Sequence, residues 1–359
     1  MSILYRFLFF VCLMIQATPS FSVSGESIVL DANGDYLITY WNGSNLMQTK
    51  LVPNTKIEPE LSSVFKLSEQ GKVIYRYKLT NGLGGRQEIE AIALFNVSSI
   101  ISTQPIKDLP DGTEDMEAAE RFMEHRNTIV NNALQTPLQW SGRVTSAAPN
   151  GILVDWEYDY KIDDNYGLLI EGLLPGHSQS GFGFKSLDLP SIAIAEIRGV
   201  GQSSEYEDEG PDPESSEIEK QIGELEATTR FVPRLAAAPM IPVPSPFDAA
   251  VTLERIQTHV HTWIEMKHLA PEFSVQLDLF FKEAIEAFRA NQPRMGRPHL
   301  QNIRHLLKQA YADIENEAIA DEQSSGNQGA QYKNGMISRL GARILDFNVK
   351  YVLKQLGEK

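Results

Sequence analysis

The spacing of apolar residues changes along this 359-residue chain, and that change constrains its fold more than any other feature. Up to about residue 200, short segments alternate apolar and polar residues, a pattern typical of half-buried β-strands. From residue 251 onward, apolar residues recur every three or four positions, a pattern typical of amphipathic helices. The sequence therefore predicts two domains, the first all-β and the second all-α.

The segment Lys72 to Thr80 shows the strand pattern most clearly, because Val73 and Tyr75 lie on one face and Arg76 on the other. Similar runs cover residues 36–41, 46–52, 88–97, 152–158 and 191–197, with glycine and asparagine turns between them. Many short strands joined by turns indicate an antiparallel β-sandwich over residues 23–200. A capping pattern that begins at Asp111 predicts one inserted helix, which ends before Pro137.

Four apolar stripes follow residue 251 and predict a four-helix bundle over residues 251–359. The segment between the two domains, residues 201–250, is first acidic and then rich in proline. Such a composition buries too little apolar surface to offset the entropy of ordering. We therefore expect a disordered linker there, with at most a transient helix from Ile218 to Ala227.

The N-terminus has the features of an export signal over residues 1–22. Arg6 precedes an apolar run from Phe7 to Ile15, and small residues follow around Ser22. The single cysteine, Cys12, lies inside this run, so the mature chain would have no disulfide and no cysteine metal site. These features predict a bacterial protein of the periplasm or the extracellular space, without a transmembrane anchor.

The net charge of −15 is concentrated before residue 251, and the helical region is close to neutral. A negative field of this kind repels phosphate, which argues against nucleic acid as a partner.

Four helical segments carry a resemblance to a known family: "LERIQTHVHTWIEMKHL", "QLDLFFKEAIEAF", "HLQNIRHLLKQAYADI" and "RLGARILDFNVKYVLKQL". In the order and spacing of their apolar positions they resemble the FIMAH module, a helical unit at the C-termini of secreted bacterial proteins. The resemblance implies an accessory role and names no catalytic residue. The segments "YRYKLTNGLGGRQEI" and "LPGHSQSGFGFKS" look similar to uncharacterised β-domains of exported bacterial proteins.

The stretch "GHSQSG" differs by one residue from the G-x-S-x-G turn that presents the nucleophile of many hydrolases. A second glycine is missing after Ser178, and an alternating strand follows instead of a helix. The stretch therefore predicts a β-turn and a strand. In that strand Phe182 and Phe184 share a face opposite two glycines, which predicts either a closely packed backbone beside the glycines or an exposed aromatic platform for a ligand.

Metal chemistry has little support in the sequence. His259 and His261 diverge on a helix, and His268 is two turns from His261, so we expect no common ion. Two short acidic loops offer oxygens that calcium could use, although ordinary turns explain both loops. These loops contain Asp31, Asn33 and Asp35, and Asp163, Asp164 and Asn165. We predict no cofactor.

Two charged groups remain as candidate sites. The acids Asp155, Glu157 and Asp159 alternate along one strand and predict a solvated acidic face, or less specifically a pair of catalytic carboxylates. A basic cluster at the junction of the second and third helices predicts a positive patch that is either solvated or an anion site. Its members are Arg289, Arg294, Arg297, Arg304 and Lys308.

Together these features predict an exported, non-catalytic binding or accessory protein of the cell envelope or extracellular space. Its partner would be a surface polymer, a glycan or an envelope protein. The alternative is a secreted hydrolase with its site in the β-domain. Such a hydrolase would need Ser178 beside His177 or His125, with an acid behind the histidine.

Overall fold

The computed structural model describes residues 25–42, 45–101, 133–147, 151–159, 161–163, 167–169, 172–201, 216–311 and 336–357. The chain divides into two compact units. The smaller spans Met1–Pro53 and Gln202–Thr229, and the larger spans Asn54–Gly201 and Arg230–Lys359. The predicted signal peptide lies outside the described residues, as does nearly all of the predicted inserted helix.

The smaller unit is a three-stranded antiparallel sheet with one helix. Its strands are β1 (Ser27–Leu30), β2 (Tyr36–Asn42) and β3 (Asn45–Leu51), in that order, and its helix is α1 (Ser216–Thr229). Ile38, Tyr40 and Leu51 on the sheet pack with Ile218 and Ile222 on the helix. Each of the five side chains is buried, so this contact forms the described core of the unit.

The larger unit contains the other strands, which pair antiparallel throughout their described length. They are β4 (Pro59–Leu67), β5 (Val73–Asn81), β6 (Ile89–Val97), β7 (Leu134–Gln135), β8 (Trp140–Ala147), β9 (Gly151–Tyr158), β10 (Lys161–Asp163), β11 (Gly167–Leu169), β12 (Ser178–Ser186), β13 (Leu189–Gly199) and β14 (Val232–Ile241). One sheet has the order β4-β5-β12-β7 and another the order β14-β13-β6-β9-β8, while β10 and β11 form a small hairpin. The period-two prediction is confirmed in β5, whose odd-numbered residues from Val73 to Asn81 are all buried.

Aromatic side chains from the two large sheets meet in the core of this unit. The Tyr77 ring lies 5.9 Å from that of Trp156, and the Phe182 ring lies 4.9 Å from that of Trp140. The Tyr77 hydroxyl donates to the carbonyl of Ala237 at 2.8 Å. Burial raises the pKa of Tyr77 well above its ordinary value, so this phenol remains a donor.

Four helices follow the strands, as the apolar stripes predict: α2 (Ala249–Glu265), α3 (Pro271–Arg289), α4 (Pro293–Ala310) and α5 (Arg339–Gln355). Asp248 caps α2 by accepting from the amide of Val251, and Ser338 caps α5 by accepting from that of Gly341. Proline begins α3 and α4, where its missing N–H costs no helical hydrogen bond. Among the described helices, none is both long and apolar enough to cross a membrane.

The helices share their hydrophobic core with the sheets. The indole of Trp263 on α2 donates to the hydroxyl of Ser191 on β13 at 3.2 Å, and the rings of Phe65 and Phe347 lie 5.1 Å apart. Asn348 on α5 donates to the carbonyl of Pro190 at 3.0 Å. The structure therefore differs from the predicted division at residues 200 and 251, because these helices and sheets belong to one unit.

The predicted disordered linker is wrong for residues 216–250, which include α1, β14 and the start of α2. The prolines of this segment suggested disorder, but they are compatible with an edge strand. Because β14 is an edge strand, Pro233 and Pro239 remove no ladder bond that a central strand would need. Between them, residues 236–238 are three fully buried alanines that let neighbouring elements approach closely. Residues 202–215 lie outside the described residues.

Candidate ligand-binding face

Four exposed cations lie on the outer face of the sheet β4-β5-β12-β7. They are Lys66 on β4, Arg76 and Lys78 on β5, and Lys185 on β12, and we call them the cationic face. Arg76 and Lys78 point outward because they alternate with Tyr75 and Tyr77, which are buried in the core. The same alternation in β4 buries Phe65 and places Lys66 on the outer face.

Strand register fixes the layout of the cationic face. Lys78 pairs across the sheet with Ser62 on β4 and Ser180 on β12. Two residues along, Arg76 pairs with Val64 and Gly183. Strand spacing gives the four cations a span of about 14 Å along the strands and about 10 Å across them.

The row beyond Arg76 completes the face. Ile74 on β5 pairs with Lys66 on one side and with Lys185 on the other. The two lysines therefore flank the end of β5 as a pair, while Arg76 and Lys78 follow its axis. The positive surface is therefore narrow at Lys78 and wider at Lys66 and Lys185.

The charge on this face has the opposite sign to that of the chain, whose net charge is −15. Among the outward side chains of β4, β5 and β12, Glu60 is the one acid, and it lies at one end, beside Thr80. Glu60 also interacts electrostatically with Arg234, which lies outside the cationic face. Within the described part of the chain, the four cations are therefore available to a ligand.

Small and hydroxyl side chains occupy most of the remaining positions of the face. The hydroxyls of Thr80 and Ser178 lie 2.8 Å apart and are exposed. Gly183 has no room for a side chain, because a Cβ there would lie 2.4 Å from the carbonyl oxygen of Tyr75. On β12, the residue paired with Arg76 therefore contributes no side chain, and Arg76 itself is exposed.

The possible aromatic platform at Phe182 and Phe184 is not exposed, because both rings are buried in the core. A register shift between Ser180 and Phe182 turns both phenylalanines inward, and Phe184 stacks on Tyr75 with ring centroids 5.4 Å apart. The alternative expectation, a closely packed backbone beside the glycines, is confirmed at Gly183.

The stretch around Ser178 forms a turn followed by a strand. Gly176 has a φ of +80° in the turn, and Ser178 is the first residue of β12. The Ser178 hydroxyl pairs with Thr80, whereas the Nδ1 atom of His177 lies 3.2 Å from the carbonyl oxygen of Pro175. The described neighbours of Ser178 therefore lack the base that would activate a serine. His125 lies outside the described residues.

The predicted basic patch on the helices is largely neutralised. Arg289 forms an ion pair with Glu254 on α2 at 2.5 Å, and Arg304 forms one with Asp346 on α5 at 2.9 Å. Arg297 donates to the carbonyl of Leu356. Lys308 also has an interaction within the chain, while Arg294 is exposed. Acids of α2 and α5 therefore interrupt the predicted positive patch, and these acids lie far from the basic cluster in sequence.

The histidines of the helical region are separated, as the helical spacing predicts. The Nε2 atom of His261 lies 2.7 Å from Asp278, and His268 is buried. Burial lowers the pKa of His259 and that of His268, because it disfavours the charged imidazole. Within the described ranges, no group of three or more metal-binding side chains occurs.

The acidic loop at Asp31 has the geometry of an ordinary turn. One carboxylate oxygen of Asp31 accepts from the amides of Asn33 and Asp35, and the amide of Asp35 is the main reason for the lowered pKa of Asp31. Lys50 lies 2.6 Å from the carboxylate of Asp35. In the second loop, Asp163 ends β10, and its two neighbours lie outside the described residues.

The carboxylates of β9 are paired with arginines. Arg143 bridges Asp155 and Glu157, and Arg198 lies 2.5 Å from Glu157 and 2.5 Å from Glu90. Burial raises the pKa of Asp155 and that of Glu90. Instead of the solvated acidic face expected, these side chains form a partly buried network that links four strands. Asp159, which directly follows β9, accepts from Ser141.

Half of the cationic face can be predicted from the sequence. The alternation in β5 already places Arg76 and Lys78 on its polar side. Lys66 and Lys185 join them only because β4 and β12 pair with β5, and β12 is about a hundred residues further along the chain. An isolated lysine in each of two separate strands gives no local signal of a site.

The cationic face can hold anionic groups by charge, and its hydroxyls can bond to oxygens between those groups. No family model matches the chain, and no curated protein or solved structure matches it either.

Proposed function

We propose that this chain is an exported, non-catalytic binding protein of the bacterial cell envelope or extracellular space, and that it holds an anionic ligand on the cationic face. One observation carries the proposal. Four exposed cations, Lys66, Arg76, Lys78 and Lys185, lie together on one sheet face of a chain whose net charge is −15. Four aligned cations are costly in mutual repulsion, and an anionic ligand would relieve that repulsion.

The expected affinity is modest and depends on salt. Exposed charge contacts are each worth about 1 kcal/mol or less and are screened over about 8 Å at physiological ionic strength. Binding therefore needs several of the four cations at once. The acidic remainder of the chain would repel a broad anionic surface, which favours a narrow ligand that lies on the face alone.

Contacts of the described polar groups support a non-catalytic role. Ser178 pairs with a threonine hydroxyl, and Asp155 and Glu157 pair with arginines. An enzyme would instead bring a nucleophile, a base and a free acid together in one cleft. The hydrolase alternative receives no support from the described residues.

The proposal extends to the finer architecture. The aromatic contacts between the two large sheets support an antiparallel β-sandwich, and the packing of α2 to α5 in one core supports a helical bundle. We retain the resemblance of these helices to the FIMAH module as part of the proposal. In this proposal residues 1–22 direct export and are removed. An accessory role for the helices agrees with binding on the sheet.

A binding experiment with matched variants tests the proposed function. The chain from residue 23 onward is titrated with soluble polyanions at low salt and again at about 0.15 M salt. The variant Arg76→Gln/Lys78→Gln should bind more weakly than wild type. The control Lys282→Gln/Arg294→Gln removes the same charge from exposed helix positions and should bind like wild type. Equal binding by both double variants would refute a site on the sheet.

A further inference from the structure

We infer that the ligand of the cationic face is an acidic polysaccharide, bound in an extended form along β5. This inference rests on the proposed function and adds the chemical class of the ligand. Three observations support it: the spread of the cations along and beside β5, the hydroxyls between them, and the absence of aromatic side chains from the described part of the face.

The layout of the cations favours a polymer over a compact anion. Arg76 and Lys78 are two residues apart, which separates them by about 7 Å along β5. Lys66 and Lys185 lie to either side of the strand, beyond Arg76. A single phosphate or carboxylate needs donors that converge on one point. The four cations are instead spread over about 14 Å along the strands and about 10 Å across them, and they suit an extended chain with repeated charges.

Hydroxyl groups distinguish a polysaccharide from other polyanions. Lys78 lies between Ser62 and Ser180 in register, and the hydroxyl pair of Thr80 and Ser178 forms the next row. A hydroxyl can both donate and accept a hydrogen bond. Sugar hydroxyls need partners of both kinds, whereas the oxygens of polyphosphate only accept. The mixed face therefore matches a ligand that alternates charged groups with hydroxyls.

Single-stranded nucleic acid and protein fit this face poorly. Proteins that bind single strands stack the bases on aromatic side chains. Protein interfaces centre on buried aromatic or arginine anchors in apolar surroundings. The described outward side chains of β4, β5 and β12 include no aromatic residue, and their only large apolar members are the half-buried Val64 and Ile74.

The position of Glu60 predicts how the polymer lies. This acid is at the end of the face, in the row of Thr80 and Ser178. Its charge disfavours a carboxylate there, so hydroxyl-bearing parts of the polymer should occupy this end. The charged groups of the polymer should lie between Lys78 and the pair formed by Lys66 and Lys185.

The test compares polymers that differ in one property at a time, by titration calorimetry on the chain from residue 23 onward. Polygalacturonate carries repeated carboxylates, and its methyl ester has the same backbone without charge. Linear polyphosphate and oligothymidylate carry charge without the sugar hydroxyls of a polysaccharide. We expect polygalacturonate to bind most tightly and its methyl ester to bind at least about tenfold more weakly.

Two sets of variants locate and identify the contact. Arg76→Gln/Lys78→Gln should weaken the binding of polygalacturonate by about tenfold, since two exposed charge contacts are lost. Ser62→Ala/Ser180→Ala should weaken the binding of polygalacturonate but leave that of polyphosphate unchanged. The control Lys282→Gln/Arg294→Gln should change neither. Unchanged melting temperatures would show that each variant is folded.

The outcomes separate this inference from the proposed function. If polyphosphate or oligothymidylate binds more tightly than polygalacturonate, and the serine variant binds all polymers like wild type, the polysaccharide inference is overturned while anion binding stands. If no polyanion binds, or if the arginine–lysine variant binds every polyanion like wild type, both fail.

Discussion

Truncation of Ile222 on α1 would test the main difference between the expected and the observed fold. Ile222 is buried against Ile38, Tyr40 and Leu51 in the smaller unit, in a segment whose composition predicts disorder. The change Ile222→Ala removes three buried carbons, worth about 2.4 kcal/mol at about 0.8 kcal/mol each. A cavity term raises the expected loss in the free energy of unfolding to about 3 kcal/mol.

A loss of that size should leave the smaller unit with at most about 2 kcal/mol of stability, because its described core has five buried apolar side chains and small cores rarely supply more than about 3–5 kcal/mol. Fluorine NMR of the chain labelled with 5-fluorotryptophan can follow each unit separately. Of the four tryptophans, Trp41 lies in the smaller unit and the others lie in the larger one. A urea titration should show an early transition of the Trp41 resonance alone.

The matched control is Glu219→Ala, an exposed position on the same helix. Alanine is a good helix former, so this change should alter the Trp41 transition by no more than about 0.5 kcal/mol. If Ile222→Ala and Glu219→Ala give the same Trp41 transition as wild type, α1 does not pack on the sheet. The segment Ser216–Thr229 would then be disordered, as its composition predicts.

Three further changes test other parts of the structure. Gly223→Ala should stabilise the smaller unit by about 0.5–1 kcal/mol, because nothing lies within 4 Å of the new Cβ and alanine favours the helix; destabilisation of the Trp41 transition would contradict this. Gly183→Ala should destabilise the larger unit by about 1–3 kcal/mol in a urea titration, because the Cβ would meet the Tyr75 carbonyl; wild-type stability would show that the strands separate easily. Burial lowers the pKa of His268 below its unfolded value of about 6.5. The contribution of His268 to the free energy of unfolding should therefore be complete above about pH 6.5. It should decrease as the pH falls below that value, because the unfolded chain binds the proton more readily than the folded chain. His268→Gln should show a smaller fall in urea titrations across this range, and an unchanged pH dependence would exclude His268 as its cause.

The spacing of apolar residues predicts the strands and helices of this fold well. Amino-acid composition predicts less well which segments are ordered. Strand β5 and helix α3 follow from the spacing of their apolar residues, because each element buries one face. Composition failed at β14, where proline and alanine resemble a linker but suit an edge strand that packs closely. Local sequence does not reveal that Pro233 lies at an edge, because the edge is defined by a distant partner.

Charge patterns have the same limit. The basic cluster on the helices looks unopposed in sequence, yet Asp346 reaches Arg304 across 42 positions of the chain. The cationic face shows the opposite case, since no cluster is evident in the sequence. Lys66 and Lys185 become neighbours of Arg76 only through strand pairing. Net charge along a segment therefore predicts a charged surface poorly unless the pairing is known.

The smaller unit consists of two chain segments, and this has a consequence during biosynthesis. The strands β1 to β3 leave the ribosome well before α1, because about 160 residues lie between them. At about 5–20 residues per second, the delay is on the order of 10–30 s. During that time Ile38 and Tyr40 lack their helical cover. The nascent sheet is thus a candidate for chaperone binding, or for capture of an α1 segment from a neighbouring nascent chain.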